Sequence, residues 1–296
     1  MNQVACNLCG SDDFSVVFKA GEAQLNQVVK CNRCGLMYAN PRGQEVDVVQ
    51  IKGYDPQFVL EKLTLGANHW RLEKEELQVR DYADTRKFVG KMFPNRGTLL
   101  EVGSGLGYLL NYFRQDGWTT RGVEPNAGLC RYAETTLGLD VFAGTLEEAQ
   151  LASSSVDVIT MIHVIEHVPD PTAVLGEVHR VLKQEGCFVL ETPRYDSLVF
   201  RLLGKRERSI SCDGHIYFFT RSALEQMAIK AGFKVLRNDS VGRSMTLDRL
   251  TYNLGVISKS TAVQQGLAFL SRKVGLNKAS VSLNMRDMQR LYLQKV

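Results

Sequence analysis

The stretch Leu99-Leu100-Glu101-Val102-Gly103-Ser104-Gly105-Leu106-Gly107-Tyr108-Leu109-Leu110 decides the fold of this 296-residue chain. An apolar run from Thr98 to Val102, broken by the acid Glu101, ends in three glycines at alternate positions. An apolar pattern follows, with Tyr108, Leu109, Tyr112 and Phe113 at helical spacing. A buried strand, a tight turn and a helix start read this way. Glycines there let the backbone enter positive φ and let a ligand approach the main chain. A dinucleotide fingerprint would need glycine where Tyr108 stands. A pyrophosphate therefore fits the loop poorly. A smaller group, or a glycine-rich turn without a ligand, remains open.

Working outward, the same strand signature recurs. Thr119-Thr-Arg-Gly-Val-Glu124-Pro125 is a second strand ending in an acid, whose carboxylate can accept from a ribose diol. Asp140 to Gly144 and Val156 to Ile162 read as the third and fourth strands, and Gly186 to Thr192 as the fifth. Phe233 to Asp239 and Met288 to Val296 read as the last two. Between them lie helices from Asn126 to Leu137, from Pro171 through Leu182, and after Thr220. Gly138 caps the first, and Asp170 with Pro171 opens the second. Such alternation predicts a parallel sheet covered on both faces, with ligands at the carboxyl ends of its strands. Gly103, Glu124, Thr145 and His163 all fall there.

With these residues in place, Glu101-Val-Gly-Ser-Gly-Leu-Gly107 resembles the E/D-x-G-x-G-x-G loop of class I S-adenosylmethionine (SAM)-dependent methyltransferases. His163-Val-Ile-Glu166-His167-Val-Pro-Asp-Pro171 and Gly214-His215-Ile-Tyr-Phe-Phe-Thr220 are similar to segments of the group related to ubiquinone biosynthesis O-methyltransferases. The resemblance covers roughly residues 96–240, in order. It implies an α/β, Rossmann-like, doubly wound and mostly parallel seven-stranded sheet. It also implies that Glu101, Gly103, Ser104, Gly105, Gly107 and Tyr108 wrap the methionine end of SAM. Glu124 would hold the ribose, Pro125 would join the cofactor-binding residues, Thr145 and Leu146 would edge the adenine, and His163 would border the cofactor.

Ahead of this domain, Cys6-Asn-Leu-Cys9-Gly10 and Cys31-Asn-Arg-Cys34-Gly35 are near copies. Two such knuckles supply four sulfurs, the ligand set of a closed tetrahedral zinc site, with short strands around Phe14 to Phe18 and Gln27 to Lys30. A pair of disulfides or a redox C-x-x-C are the rival readings, disfavoured by a reducing cytosol and by the duplication respectively. A zinc filled by four thiolates has no open position, so the predicted role is structural. The expected domains are a zinc ribbon over 1–41, a helical connector or lid over 42–95, and a SAM-binding domain over 96–296. That last domain is expected to carry a helical insertion over about 241–285. In the connector, Tyr54, His69, Trp70 and Arg71 are candidates to line an acceptor pocket, and a helix is expected from Arg71 to Phe88.

Composition is that of an ordinary globular protein, with 44% hydrophobic and 23% charged residues. No apolar run approaches the roughly 18 residues of a membrane span, and no secretory segment opens the sequence, so a cytoplasmic location is expected. The net charge of +4 suits an anionic acceptor or merely a solvated basic surface. The same two readings apply to Arg194, Arg201, Lys205, Arg206 and Arg208 in the loop over 193–213. Basic residues are not banded along the chain, which argues against nucleic acid as a partner.

Methyl transfer from a sulfonium is an in-line displacement, dominated by alignment. A hydroxyl acceptor also needs a base, and His167, His163 and His215 are the candidates, each of which reads equally as a structural histidine. The string His163-x-x-Glu166-His167 matches a zinc-protease motif that requires one helix, whereas Pro169 and Pro171 follow at once here. His163 also stands where an acid would favour magnesium, which argues against a required hard cation. The expected function is O-methylation of a small molecule. An RNA methyltransferase lacks support from an N-P-P-[YF] motif; a sugar C-methyltransferase and a non-catalytic assembly module are further alternatives.

Overall fold

The computed structural model describes residues 2–23, 26–42, 75–207, 209–210, 214–247, 249–251 and 279–296. Three short strands come first, Phe14–Phe18 (β1), Val28–Cys31 (β2) and Met37–Ala39 (β3), joined antiparallel in that order. A fourth strand of this small sheet comes from far along the chain. Tyr217–Phe218 (β9) pairs with β3 through Met37↔Phe218 and Tyr38↔Tyr217.

Two helices, Glu75–Arg80 (α1) and Ala83–Met92 (α2), lead into the large sheet. Its strands are Thr98–Val102 (β4), Thr119–Glu124 (β5), Val141–Ala143 (β6), Val156–Ile162 (β7), Leu182–Pro193 (β8), Phe233–Thr246 (β10) and Ser280–Lys295 (β11). They lie in the order β10-β11-β8-β7-β4-β5-β6. Strands β4 to β8 are parallel, and β11 is antiparallel to both its neighbours. The mostly parallel seven-stranded sheet expected from the sequence is the one observed. Tyr108–Gln115 (α3), Ala127–Leu137 (α4), Pro171–Val181 (α5), Leu198–Leu203 (α6) and Arg221–Lys230 (α7) connect it. Among the described residues, no helix is long and apolar enough to cross a membrane.

The helices start where their side chains satisfy the first free amides. Asn126 accepts from the amides of Gly128 and Leu129, Asp170 from Ala173, and Thr220 from Ala223. Each such cap contributes about 1 kcal/mol. Gly138 closes α4 at φ 64°, a conformation that favours glycine. One face of the sheet packs Val102, Val123, Ile159, Leu175 and Phe188 into a core that continues into Cys6, Leu36 and Tyr38. The opposite face buries Leu99, Leu110, Phe113, Trp118 and Tyr292. The cysteine-bearing segment therefore shares both a sheet and a core with the larger domain.

The predicted helical insertion over 241–285 is corrected at both ends. Strand β10 runs to Thr246 and β11 begins at Ser280, paired through Arg243↔Leu283 and Thr246↔Ser280. Register shifts at Val235/Arg237 and Val241/Arg243 change which side faces inward, so the alternation that marks a strand is lost. Residues 252–278 lie outside the described residues, as do 43–74, which include Tyr54, His69, Trp70 and Arg71. The helix expected from 71 to 88 is described from Glu75 and is broken between α1 and α2. The break has a cause: Asp81 gives its carbonyl to Arg290 at 3.0 Å and its carboxylate to Ser244. Leu182, expected at a helix end, opens β8 instead.

Candidate functional site

Strand order reverses at β4, which lies between β5 and β7, and such a switch point opens a crevice at the carboxyl ends. The glycine loop fills that position. Gly103 takes φ 73°, and a Cβ there would meet Val164 Cγ2 at 2.3 Å, so the loop and the end of β7 approach closely. A Cβ on Gly105 would instead project into open space. Glu124 shapes the loop, with Oε2 accepting from the Gly105 amide and Oε1 from the Asn126 amide, both at 2.9 Å. Beside it lies a cavity of about 320 Å³ lined by Val123, Pro125, Thr145, Leu146, Val164 and Pro169.

The buried Oε2 of Glu101, near the end of β4, has no hydrogen-bond partner among the described residues. Burial, with the Glu124 charge nearby, pushes its pKa well above the usual carboxylate range. A cationic ligand group would satisfy that atom, and a flat apolar base suits the cavity, so these residues fit SAM. Gly107, at φ 81°, starts α3, where the Tyr108 hydroxyl meets that of Tyr132 at 3.2 Å. The Ser104 hydroxyl is buried towards Gly122, without a partner among the described residues.

The three histidines gather around the end of β7 but differ in what they touch. His163, at φ 56°, sets Nδ1 3.3 Å from Glu166 Oε1 and Nε2 3.3 Å from Glu191 Oε1. Burial and Arg243 lower its pKa, but the hydrogen bonds to Glu166 and Glu191 outweigh them and raise it. Glu166 accepts also from Thr192 Oγ1 at 2.9 Å, and Glu191 from Arg290 Nε at 2.6 Å. Burial would raise both acids, yet His163 for Glu166 and Arg290 for Glu191 hold each down to about 2. Cations and carboxylates thus alternate from Arg290 through Glu191 and His163 to Glu166. His163 is a bridge in that chain, with neither nitrogen free.

His167 is placed differently. Its Nδ1 lies 2.9 Å from the Gly214 carbonyl, which can only accept, so Nδ1 is the donor there, and in the neutral tautomer the lone pair falls on Nε2. His215 packs edge-on behind it, ring centroids 4.5 Å apart, with Nδ1 3.3 Å from the Tyr195 hydroxyl. Burial, with the charge of His167, drops the pKa of His215 to about 3, so it is neutral. Ligand atoms of Glu166, His167 and His215 also lie within 4.8 Å of one another. Both oxygens of Glu166 already serve His163 and Thr192. Glu191 and Arg290 were not singled out from the sequence. The signal for Glu191 was present: an acid ending an apolar strand, as at Glu101 and Glu124.

Cys6, Cys9, Cys31 and Cys34 converge, with all four sulfurs within 4.8 Å of one another. The Cys6–Cys34 and Cys9–Cys31 separations are 3.4 and 3.5 Å, far beyond a disulfide bond. A tetrahedron with metal–sulfur bonds of about 2.3 Å has edges of roughly 3.8 Å, so the set fits zinc. Gly10 and Gly35 turn at positive φ and return their amides to the carbonyls of Cys6 and Cys31. Burial pushes the Cys6 and Cys34 thiols up, whereas at Cys31 the amides of Cys34 and Arg33 outweigh burial and bring the thiol to about 7.

Comparison with known proteins places this geometry. The family described as a methyltransferase domain matches residues 70–238, more than half of the chain. A ubiquinone biosynthesis O-methyltransferase of Psychrobacter arcticus is 30% identical over 158 residues, 49% of this chain and 61% of that protein. An uncharacterized methyltransferase of Mycobacterium avium is 37% identical over 98 residues, 31% of this chain and 38% of that protein. The chain thus spans less than two thirds of the length of these relatives. A SAM-dependent methyltransferase structure from Archaeoglobus fulgidus superposes with a TM-score of 0.53 at 18% identity, covering 81% of this chain and 100% of that one. At that identity the likeness is one of fold.

Proposed function

The chain belongs to the methyltransferase domain family, and from that premise we propose that it methylates a hydroxyl oxygen of a small molecule, using SAM and with His167 as the base. SAM supplies an electrophilic methyl group on a sulfonium. The glycine loop and Glu124 would hold its amino-acid and ribose parts, and Pro125, Thr145 and Leu146 its adenine. The chain's own task is then to align the acceptor and take its proton.

One observation carries the choice of base. The Gly214 carbonyl fixes the proton of His167 on Nδ1, which leaves Nε2 to accept a proton. His163 has both nitrogens committed to carboxylates, and His215 is buried behind His167. Those two are positioning residues in this reading. Arg243 sets Nη2 3.2 Å from His163 Nε2, a like-charge contact once His163 is protonated. An anionic group on the acceptor would relieve it. In this reading the four cysteines hold a structural zinc, and metal analysis of the purified chain is expected to find about one ion per chain.

The test starts from labelled SAM in fractionated cell extract, which identifies the acceptor. Label recovered in RNA would instead favour the nucleic-acid reading. With the acceptor in hand, His167→Ala is expected to bind SAM normally and to lose about 10²–10⁴ in kcat. Near-normal kcat in that variant would remove His167 from the chemistry.

A further inference from the structure

Both segments that carry the paired histidines are held by the cysteine ribbon. The loop after β7 bears His167 and ends at Asp170, the N-cap of α5. Asn7, inside the first knuckle, grips that end. Its Oδ1 accepts from the Thr172 amide at 3.0 Å and from the Thr172 hydroxyl at 2.6 Å, and its Nδ2 donates to Asp170 Oδ1 at 2.8 Å. The same Asp170 oxygen caps Ala173, so knuckle and helix share one cap.

Arg42 holds the loop from the other end of the ribbon. Its Nη1 donates to the Pro169 carbonyl at 2.9 Å and its Nη2 to the Tyr217 hydroxyl at 2.6 Å, with the guanidinium 4.7 Å from the centre of the Tyr217 ring. Tyr217 itself donates to Pro169 O. Tyr217 belongs to β9, the strand that closes the ribbon sheet, and His215 lies two residues before it. Ile216 and Tyr217 in turn send their amides to the Glu166 carbonyl. The ribbon therefore sits across the two histidine segments, while the Gly105–Glu124–Asn126 contacts of the cofactor cradle do not involve it.

We propose that the metal-held ribbon sets the position of the His167–His215 pair, with Asn7 and Arg42 as positioning residues, so that loss of the metal disables methyl transfer and spares the glycine loop with its Glu124 contacts. The proposal rests on the reading of His167 as base. The physical reason for coupling is size. On its own a ribbon of this length buries too little to order itself; beyond the core and the β9 pairing that it shares with the larger domain, the metal holds its knuckles rigid, and Asn7 passes that on.

The experiment uses the full chain in three forms: zinc-loaded, chelator-treated, and the variants Asn7→Ala and Arg42→Met with their zinc content measured. Amide hydrogen exchange is read segment by segment. Chelation is expected to remove protection over 163–172 and 214–219 as well as in the ribbon, and to leave 98–110 and 119–124 protected. Asn7→Ala is expected to keep its zinc and the protection over 98–110, lose protection over 163–172, and turn over about 10- to 100-fold more slowly. Unchanged exchange over 163–172 and 214–219 in the metal-free chain, while the knuckles open, would overturn the proposal. So would unaltered kcat in both variants when His167→Ala is inactive. If His167→Ala stays active, the base assignment falls instead, and the exchange pattern alone decides the coupling.

Discussion

Glu124 uses its two carboxylate oxygens on the main chain, one on Gly105 and one on Asn126. It shapes the loop that would hold SAM, besides its proposed contact with the ribose. A glutamine there would be no substitute, because its amide nitrogen would present donors to an N–H that needs an acceptor. Glu124→Gln is therefore expected to weaken SAM binding by about 1–3 kcal/mol, measured by calorimetry. Unchanged affinity would separate Glu124 from the cofactor. At this scale much of the site was legible, since glycines, acids at strand ends and histidines before a proline carry their chemistry in their type. Ser104 was not, because the side chain's direction depends on Gly122 across the sheet. Nor were the differing fates of the three histidines, which are set by Glu191 and Gly214, residues remote in sequence.

Among the elements, β11 shows how a central strand can carry charge. Arg290 lies opposite Glu191 on β8, and the pair is almost wholly buried. Arg290 Nη1 also reaches Asp81 O and Thr85 Oγ1, and its guanidinium stacks 4.3 Å from the Tyr82 ring centre. Removing the cation leaves the buried Glu191 with His163 and the more distant charge of Arg243 to answer it. Arg290→Leu is thus expected to destabilise the chain by about 3–5 kcal/mol in denaturant unfolding, and adding Glu191→Leu should recover part of that. A single variant within about 0.5 kcal/mol of the parent would contradict the pairing. The strands of the parallel core were readable because each is a local apolar run. The β3–β9 pairing was not, since two strands of three and two residues carry no periodicity and meet only through the fold. The β10–β11 arm was misread for its own reason, the two register shifts that erase alternation.

For the molecule as a whole, the buried titratable groups set how stability depends on pH. Glu166 and Glu191, held at about 2 against an ordinary 4.5, contribute stability that is present above pH 4.5 and lost as the pH falls towards 2. His163, whose pKa is raised, contributes below the ordinary value of 6.5 and ceases to do so as pH rises through its folded value. His215 acts in the opposite sense. Its folded pKa is about 3 against 6.5, so the unfolded chain binds the extra proton between those values. Stability contributed by neutral His215 is complete above pH 6.5 and drains away by about 1.4 kcal/mol for each unit below it. Other ionisable groups titrate in the parent protein as well, so the comparison must be with a variant that lacks only the His215 proton. His215→Gln keeps a polar group near Tyr195 and cannot titrate. The difference in unfolding free energy, parent minus variant, is expected to fall by roughly 2–3 kcal/mol between pH 6.5 and 4.5. If urea titrations across that range give a constant difference, His215 is not buried as a neutral ring, and the packing behind His167 is not what holds that imidazole in place.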